Sequence, residues 1–131
     1  MTGELEFIAR DPRDVPEAAG GYAQGLSVRG ASELLFISGQ IPEDRQGIVP
    51  ATFEEQCRMV WQHIDATLDA AGLTMRNLVK VTAYLSSREF AATNSAIRQE
   101  LLGDHRVALT VVVAKIFDPV WLLEIEAIAA A

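Results

Sequence analysis

The sequence predicts an α+β fold, a mixed β-sheet with two helices packed on one face. Three observations support it. Two segments repeat apolar residues at helical steps, several short segments alternate apolar and polar residues, and the order reads strand, hairpin, helix, strand, helix, hairpin. Helices placed after strands imply crossover connections, hence a mixed sheet. Two helices cover only one side of a sheet. Leu109 to Ile116 carries apolar residues on both faces, so the open side calls for a cover, and a second copy of the chain is the simplest one. The expectation is a homo-oligomer with small-molecule sites in clefts between its copies.

Length and composition bound the function. The chain has 131 residues, half of them apolar, which fits one globular domain over 1–131. Its net charge of −7, without a basic run, speaks against nucleic acid as a partner. The single cysteine, Cys57, excludes an internal disulfide and is too few for a cysteine-ligated zinc site. No metal and no cofactor is expected. The N-terminus lacks a secretory pattern and no apolar run approaches the roughly twenty residues that span a bilayer. A soluble, cytoplasmic protein without a membrane partner is the reading.

Leu5 to Ala9 alternates weakly as a first strand, and Asp11 to Gly21 is a loop rich in Pro, Gly and acid. Tyr22 follows inside the frame Gly20-Gly21-Tyr22-Ala23-Gln24-Gly25, where glycines let the backbone bend or approach a partner closely. A loop tyrosine of this kind is more often rim packing than a catalyst. Gly25 to Arg29 and Leu34 to Ser38 read as a hairpin turned at Gly30 to Glu33. Ser38-Gly39-Gln40-Ile41-Pro42 is an abrupt strand exit that fits an ordinary turn or exposes backbone to a ligand.

Thr52-Phe53-Glu54-Glu55 is a capping box and Gly72 a helix stop. Between them Phe53, Cys57, Val60, Ile64, Leu68 and Ala71 form one apolar stripe, with Cys57 read as packing and His63 as a boundary residue. Leu78 to Leu85 alternates with one apolar face. Ser86 to Glu89 offers a second capping box for a helix with the stripe Phe90, Asn94, Ile97 and Leu101, ending near Gly103. Asn94 interrupts that stripe; a buried amide usually fixes nearby backbone, and lining a cleft is the rarer alternative.

Leu109 to Ile116 and Val120 to Ala129, separated by Phe117-Asp118-Pro119, read as a closing hairpin. On the second strand Leu123, Ile125 and Ala127 share one face, while Glu124 and Glu126 share the other. Two carboxylates there fit a solvated face near a sheet edge, which the pattern favours, or a glutamate lining a cleft.

Taken together, Gly20 to Gly25, Ser38 to Pro42, Glu55-Gln56 with the helix to Gly72, Val79-Lys80-Val81-Thr82, Phe90 to Asn94, and Leu123 to Ala129 resemble the RidA (YjgF) family. The resemblance runs from about Gly20 to the C-terminus. It implies a chorismate-mutase-like α+β fold assembled as a homotrimer with ligand clefts between subunits. It also implies metal-free hydrolysis of reactive enamines or imines, such as 2-aminoacrylate, to 2-keto acids and ammonia. Tyr22, Gly39, Asn94 and Glu124 match family cleft positions, with Glu124 moving protons or positioning water and Tyr22 orienting the substrate.

One position departs. Active members carry Pro-Ala-Arg-Ser where this chain has Val107-Ala108-Leu109-Thr110, so Leu109 replaces the arginine that clamps the substrate carboxylate. If the turn before the last strand holds an inserted residue, the arginine position falls on Ala108 instead. Losing such a contact costs on the order of 2–4 kcal/mol in binding a small carboxylate. Two function classes follow. One is hydrolysis of an enamine or imine other than 2-aminoacrylate, and the other is a non-catalytic metabolite-binding or regulatory protein.

Overall fold

The computed structural model describes residues 3–131. Along the chain run β1 (Glu6–Arg10), β2 (Gly25–Arg29), β3 (Leu34–Gln40), α1 (Phe53–Ala70), β4 (Leu78–Leu85), α2 (Ala91–Leu102), β5 (Ala108–Val113) and β6 (Leu123–Ala130). The α+β class and the mixed sheet are as expected, and the strand pairing is not.

β2 pairs antiparallel with β1, Phe7 facing Val28, in a two-stranded sheet, whereas β3 pairs with β6. The hairpin expected between Gly25–Arg29 and Leu34–Ser38 is therefore absent. The closing hairpin is absent too. The second sheet has the order β3-β6-β4-β5, so β4 separates β5 from β6. β5 runs parallel to β4 and β6 lies antiparallel between β3 and β4. The Asp118-Pro119 segment does turn, with the Val120 N–H donating to Asp118 Oδ1 at 2.9 Å. Its span carries the chain around the end of β4: the Ala114 N–H bonds Leu85 O and the Ser86 N–H bonds Leu122 O, each at 2.9 Å. Burial explains the choice. β6 buries Leu123, Ile125, Ala127 and Ala129 and takes a central place, while Val111, Val112 and Val113 remain exposed on the edge strand β5.

α1 forms as its signals predict. Thr52 Oγ1 accepts the Glu55 N–H at 3.2 Å, and Gly72, at φ +73°, ends the helix in a conformation that glycine adopts without cost. Its stripe of Phe53, Cys57, Val60, Ile64 and Leu68 packs with Val81, Ala83 and Leu85 of β4, Ile125 and Ala127 of β6, and Ile97 of α2 in one core. α2 differs in detail. Ser87, not Ser86, caps a 3-10 turn by accepting the Glu89 N–H, and Phe90 precedes α2 without a side-chain cap. The buried face of α2 is Asn94, Ile97, Arg98 and Leu102, so Leu102 replaces the expected Leu101. Among the described residues no helix is long and apolar enough to cross a membrane.

Candidate functional site

Glu124 stands on the sheet face away from the helices, opposite Tyr84 of β4. That face also presents Glu126, whose Oε2 accepts from the Tyr84 hydroxyl at 3.2 Å. Burial and this contact with a carboxylate raise the Tyr84 pKa. Across from Glu126, two residues along β6 from Glu124, β3 carries an extra residue. Ile37 pairs with Ala127 and Gln40 with Ile125, which leaves Ser38 and Gly39 facing one residue of β6, a β-bulge. The bulge brings the Gly39 backbone against the Glu124 side chain. A Cβ at Gly39 would lie 2.8 Å from Glu124 Cδ and 3.1 Å from its Cγ, so any other residue displaces this carboxylate. The expected strand exit at Gly39 is thus a bulge within β3 that seats a carboxylate.

Tyr22 is half-buried in a loop fastened at several points. Its carbonyl accepts from Arg106 Nη2 at 2.9 Å and from Arg106 Nε at 3.3 Å, and Arg106 also pairs with Asp11 at 2.7 Å. The next residues continue the attachment: the Ala23 N–H donates to Val107 O and the Gln24 N–H to Asp11 Oδ1, both at 2.9 Å. The Gln24 amide and the Arg106 guanidinium hold the Asp11 carboxyl below the usual carboxylate range. Arg106 is committed to this strap.

Asn94 is 3% exposed, one turn before Arg98 on α2, and its Oδ1 lies 3.9 Å from Cys57 Sγ. The amide sits against a buried thiol where a backbone contact was expected. Burial pushes the Cys57 pKa up to about 12, so this thiol is neutral and inert near neutral pH. His63 is a boundary residue, its Nε2 lying 3.0 Å from Glu43 O.

Leu109 pairs with Val81 and packs against the core, which puts it on the helix side of the sheet, opposite to Glu124. Ala108 pairs with Lys80 on the other face, the one that Glu124 shares. Three surface grooves, of about 270, 430 and 350 Å³, are lined by none of Tyr22, Gly39, Asn94, Leu109 and Glu124. Within one chain Gly39 meets Glu124, Asn94 lies on α2, and the Gly20-Gly21 segment before Tyr22 runs against α2. Leu109 and Glu124 stay on opposite faces of the sheet. Among the described residues no cluster of His, Cys, Asp and Glu has a metal-binding arrangement.

Sequence reasoning missed three buried polar side chains, Gln56, Arg98 and His105, the last with its Nε2 2.7 Å from Leu78 O. Gln56 donates to Pro50 O at 2.9 Å and to Val120 O at 3.1 Å and accepts the Leu122 N–H at 2.8 Å, tying the segment before β6 to α1. Arg98 donates to Gly20 O at 2.8 Å. The Gln56 position within the α1 stripe was a usable signal, since it lies one residue from Cys57 on the core side.

The model of the family described as Endoribonuclease L-PSP matches residues 12–131. The chain is 35% identical over 118 residues to the RutC family protein PH0854 of Pyrococcus horikoshii, covering 88% of this chain and 91% of that one. It is 32% identical over 121 residues to the 2-iminobutanoate/2-iminopropanoate deaminase of Escherichia coli K12, covering 88% and 91%. Its structure resembles the crystal structure of Escherichia coli TdcF with bound serine, with a TM-score of 0.71, 28% identity and coverage of 95% and 98%. The fold, the nearly full-length match and these relatives agree, and the chain belongs to the RidA (YjgF/RutC) family.

Proposed function

We propose that the protein hydrolyses a small imine or enamine in clefts between the subunits of a chorismate-mutase-like homotrimer, with Glu124 as general acid and base and Tyr22 as orienting group. The observation that carries this is the Glu124 carboxylate, seated over the Gly39 bulge in a chain whose relatives include a named imine deaminase. In the reaction, Glu124 takes a proton from water as the water oxygen adds to the C=N carbon. The same proton then passes to nitrogen, which gives a carbinolamine; Glu124 next carries the hydroxyl proton to nitrogen as the C–N bond breaks, and a carbonyl compound and ammonia leave.

Apolar exposure supports the assembly. Phe36 on the open face is 70% exposed in the single chain, and Phe117 is 92% exposed. Surfaces of this kind mark contacts with another protein. The separation of Tyr22 and Asn94 from Glu124 also fits clefts built by more than one subunit. The β5 residue on the Glu124 face narrows the substrate: it is Ala108, which offers no charge to clamp a carboxylate, while Leu109, expected in that place, turns into the core. The missing clamp also favours a second reading, a metabolite-binding protein without turnover.

The test is ammonia and keto-acid release from 2-aminoacrylate, generated in situ from serine by a dehydratase. Wild type is compared with Leu109→Arg and Ala108→Arg. The expected result is little release by wild type and a gain in one of the variants; a wild-type rate like that of the relatives overturns the substrate assignment. Glu124→Gln separates the two readings. Lost turnover with unchanged assembly and ligand binding supports hydrolysis, and binding without turnover in wild type against a panel of imines supports the second.

A further inference from the structure

Tyr84 and Glu124 are direct partners across β4 and β6, so their side chains stand side by side on the open face of the sheet. The phenol nevertheless donates elsewhere. Its hydroxyl lies 3.2 Å from Oε2 of Glu126, whose own partner on β4 is Thr82. Glu124 and Glu126 are two residues apart on one strand, roughly 7 Å between Cα atoms, and an aromatic side chain set opposite one reaches the other on the diagonal.

The hydroxyl has one proton to give, and two carboxylates compete for it. Burial, the bond to Glu126 and the charges of Glu126 and Glu124 raise the Tyr84 pKa, so the proton stays in place at neutral pH. At 3.2 Å the bond is long for a phenol on a carboxylate, which leaves the hydroxyl held without being locked. Cations offer the two glutamates no alternative. Among the described residues neither has an ion-pair partner, and Lys80 on the same face donates to Thr110 Oγ1 at 2.8 Å. The Glu124 side chain meanwhile rests against Gly39 on the β3 side of β6, away from Tyr84.

We infer that Glu126 is a positioning residue for Glu124, a competing acceptor that draws the Tyr84 hydroxyl aside and leaves both Glu124 oxygens open to water and to the leaving nitrogen. This rests on the hydrolase reading proposed above and adds a control on its base. A phenol bonded to Glu124 would occupy one of its lone pairs and stabilise the carboxylate, which makes it a poorer base. With Glu126 removed, Glu124 is the carboxylate that remains beside the hydroxyl.

The variants are Glu126→Leu, Glu126→Gln, and Glu126→Leu combined with Tyr84→Phe, each in the full-length chain. Ammonia release is followed from 2-aminoacrylate and from the carboxylate-free imine that a flavin amine oxidase forms in situ from benzylamine. Glu126→Leu is expected to lower kcat tenfold or more with KM and oligomer size little changed, and its crystal structure to show the Tyr84 hydroxyl on Glu124. Glu126→Gln keeps an acceptor oxygen and with it most of the rate. The double variant has no hydroxyl to misplace and regains at least fivefold over Glu126→Leu, a non-additivity that a merely structural glutamate does not produce. Should leucine disturb the assembly, Glu126→Thr makes the same test with a shorter side chain. A double variant as slow as Glu126→Leu overturns the inference, and so does a Glu126→Leu structure in which the hydroxyl stays off Glu124. Wild type that releases no ammonia from either imine overturns the hydrolase reading instead, and the crystal structures alone then decide where the hydroxyl goes.

Discussion

The Glu124 side chain fills the space that a side chain at Gly39 would occupy, its Cδ lying 2.8 Å from the Cβ position there. Gly39→Ala is therefore a probe of Glu124. The added methyl group meets a carboxylate that has a rotamer to yield, so Glu124 turns away while the sheet survives, at a stability cost of roughly 1–3 kcal/mol. A displacement on the scale of an ångström costs on the order of a hundredfold in turnover. The expected outcome is a folded oligomer of normal size whose crystal structure shows Glu124 rotated and whose imine turnover falls by that order. Unchanged turnover with Glu124 in place would show that the close contact has no functional weight.

What the sequence revealed and what it hid differ by range. The α1 boundaries were legible because Thr52, Glu55 and Gly72 act within a turn or two of their own positions. The face of Glu124 was legible because alternation along β6 needs no partner strand. Pairing was not legible. Sequence neighbours usually pair, and here β6 passes its neighbour β5 and enters between β3 and β4, where Ile125 and Ala127 are fully covered. The Gly39 bulge shared that fate, since it exists only in register with β6. Arg98 was hidden by its type: an arginine on a helix reads as solvated, and the Gly20 carbonyl that holds it is far away in sequence.

Gln56 predicts a stability effect remote from the site. It bonds the carbonyls of Pro50 and Val120 and the N–H of Leu122 from a fully buried position. Gln56→Leu keeps the volume and leaves three backbone groups without that partner, for a loss of about 2–4 kcal/mol. A lower denaturant midpoint with an unchanged slope in urea unfolding is the expected result. A loss under about 0.5 kcal/mol would mean that water replaces the amide and that this tie contributes little.

Cys57 predicts how stability depends on alkaline pH. Burial raises its thiol pKa from 9.0 to about 12, so the folded state keeps a proton that the unfolded state releases first. For a raised pKa the contribution is complete below the unfolded value and fades as pH climbs from about 9 toward 12. In that window the folded state binds more protons than the unfolded one, and stability falls by up to about 1.4 kcal/mol per pH unit. Cys57→Ala removes this one titration and leaves the lysines and tyrosines in place. The difference in stability between wild type and Cys57→Ala should therefore be flat from pH 6 to 8 and change in favour of the variant above pH 9, as measured by urea unfolding. A difference that stays constant to pH 10.5 would mean that the thiolate forms inside the fold at no cost. Reaction of the native protein with a thiol reagent at pH 8 would say the same, because the thiol beside Asn94 would then be reachable and ionised.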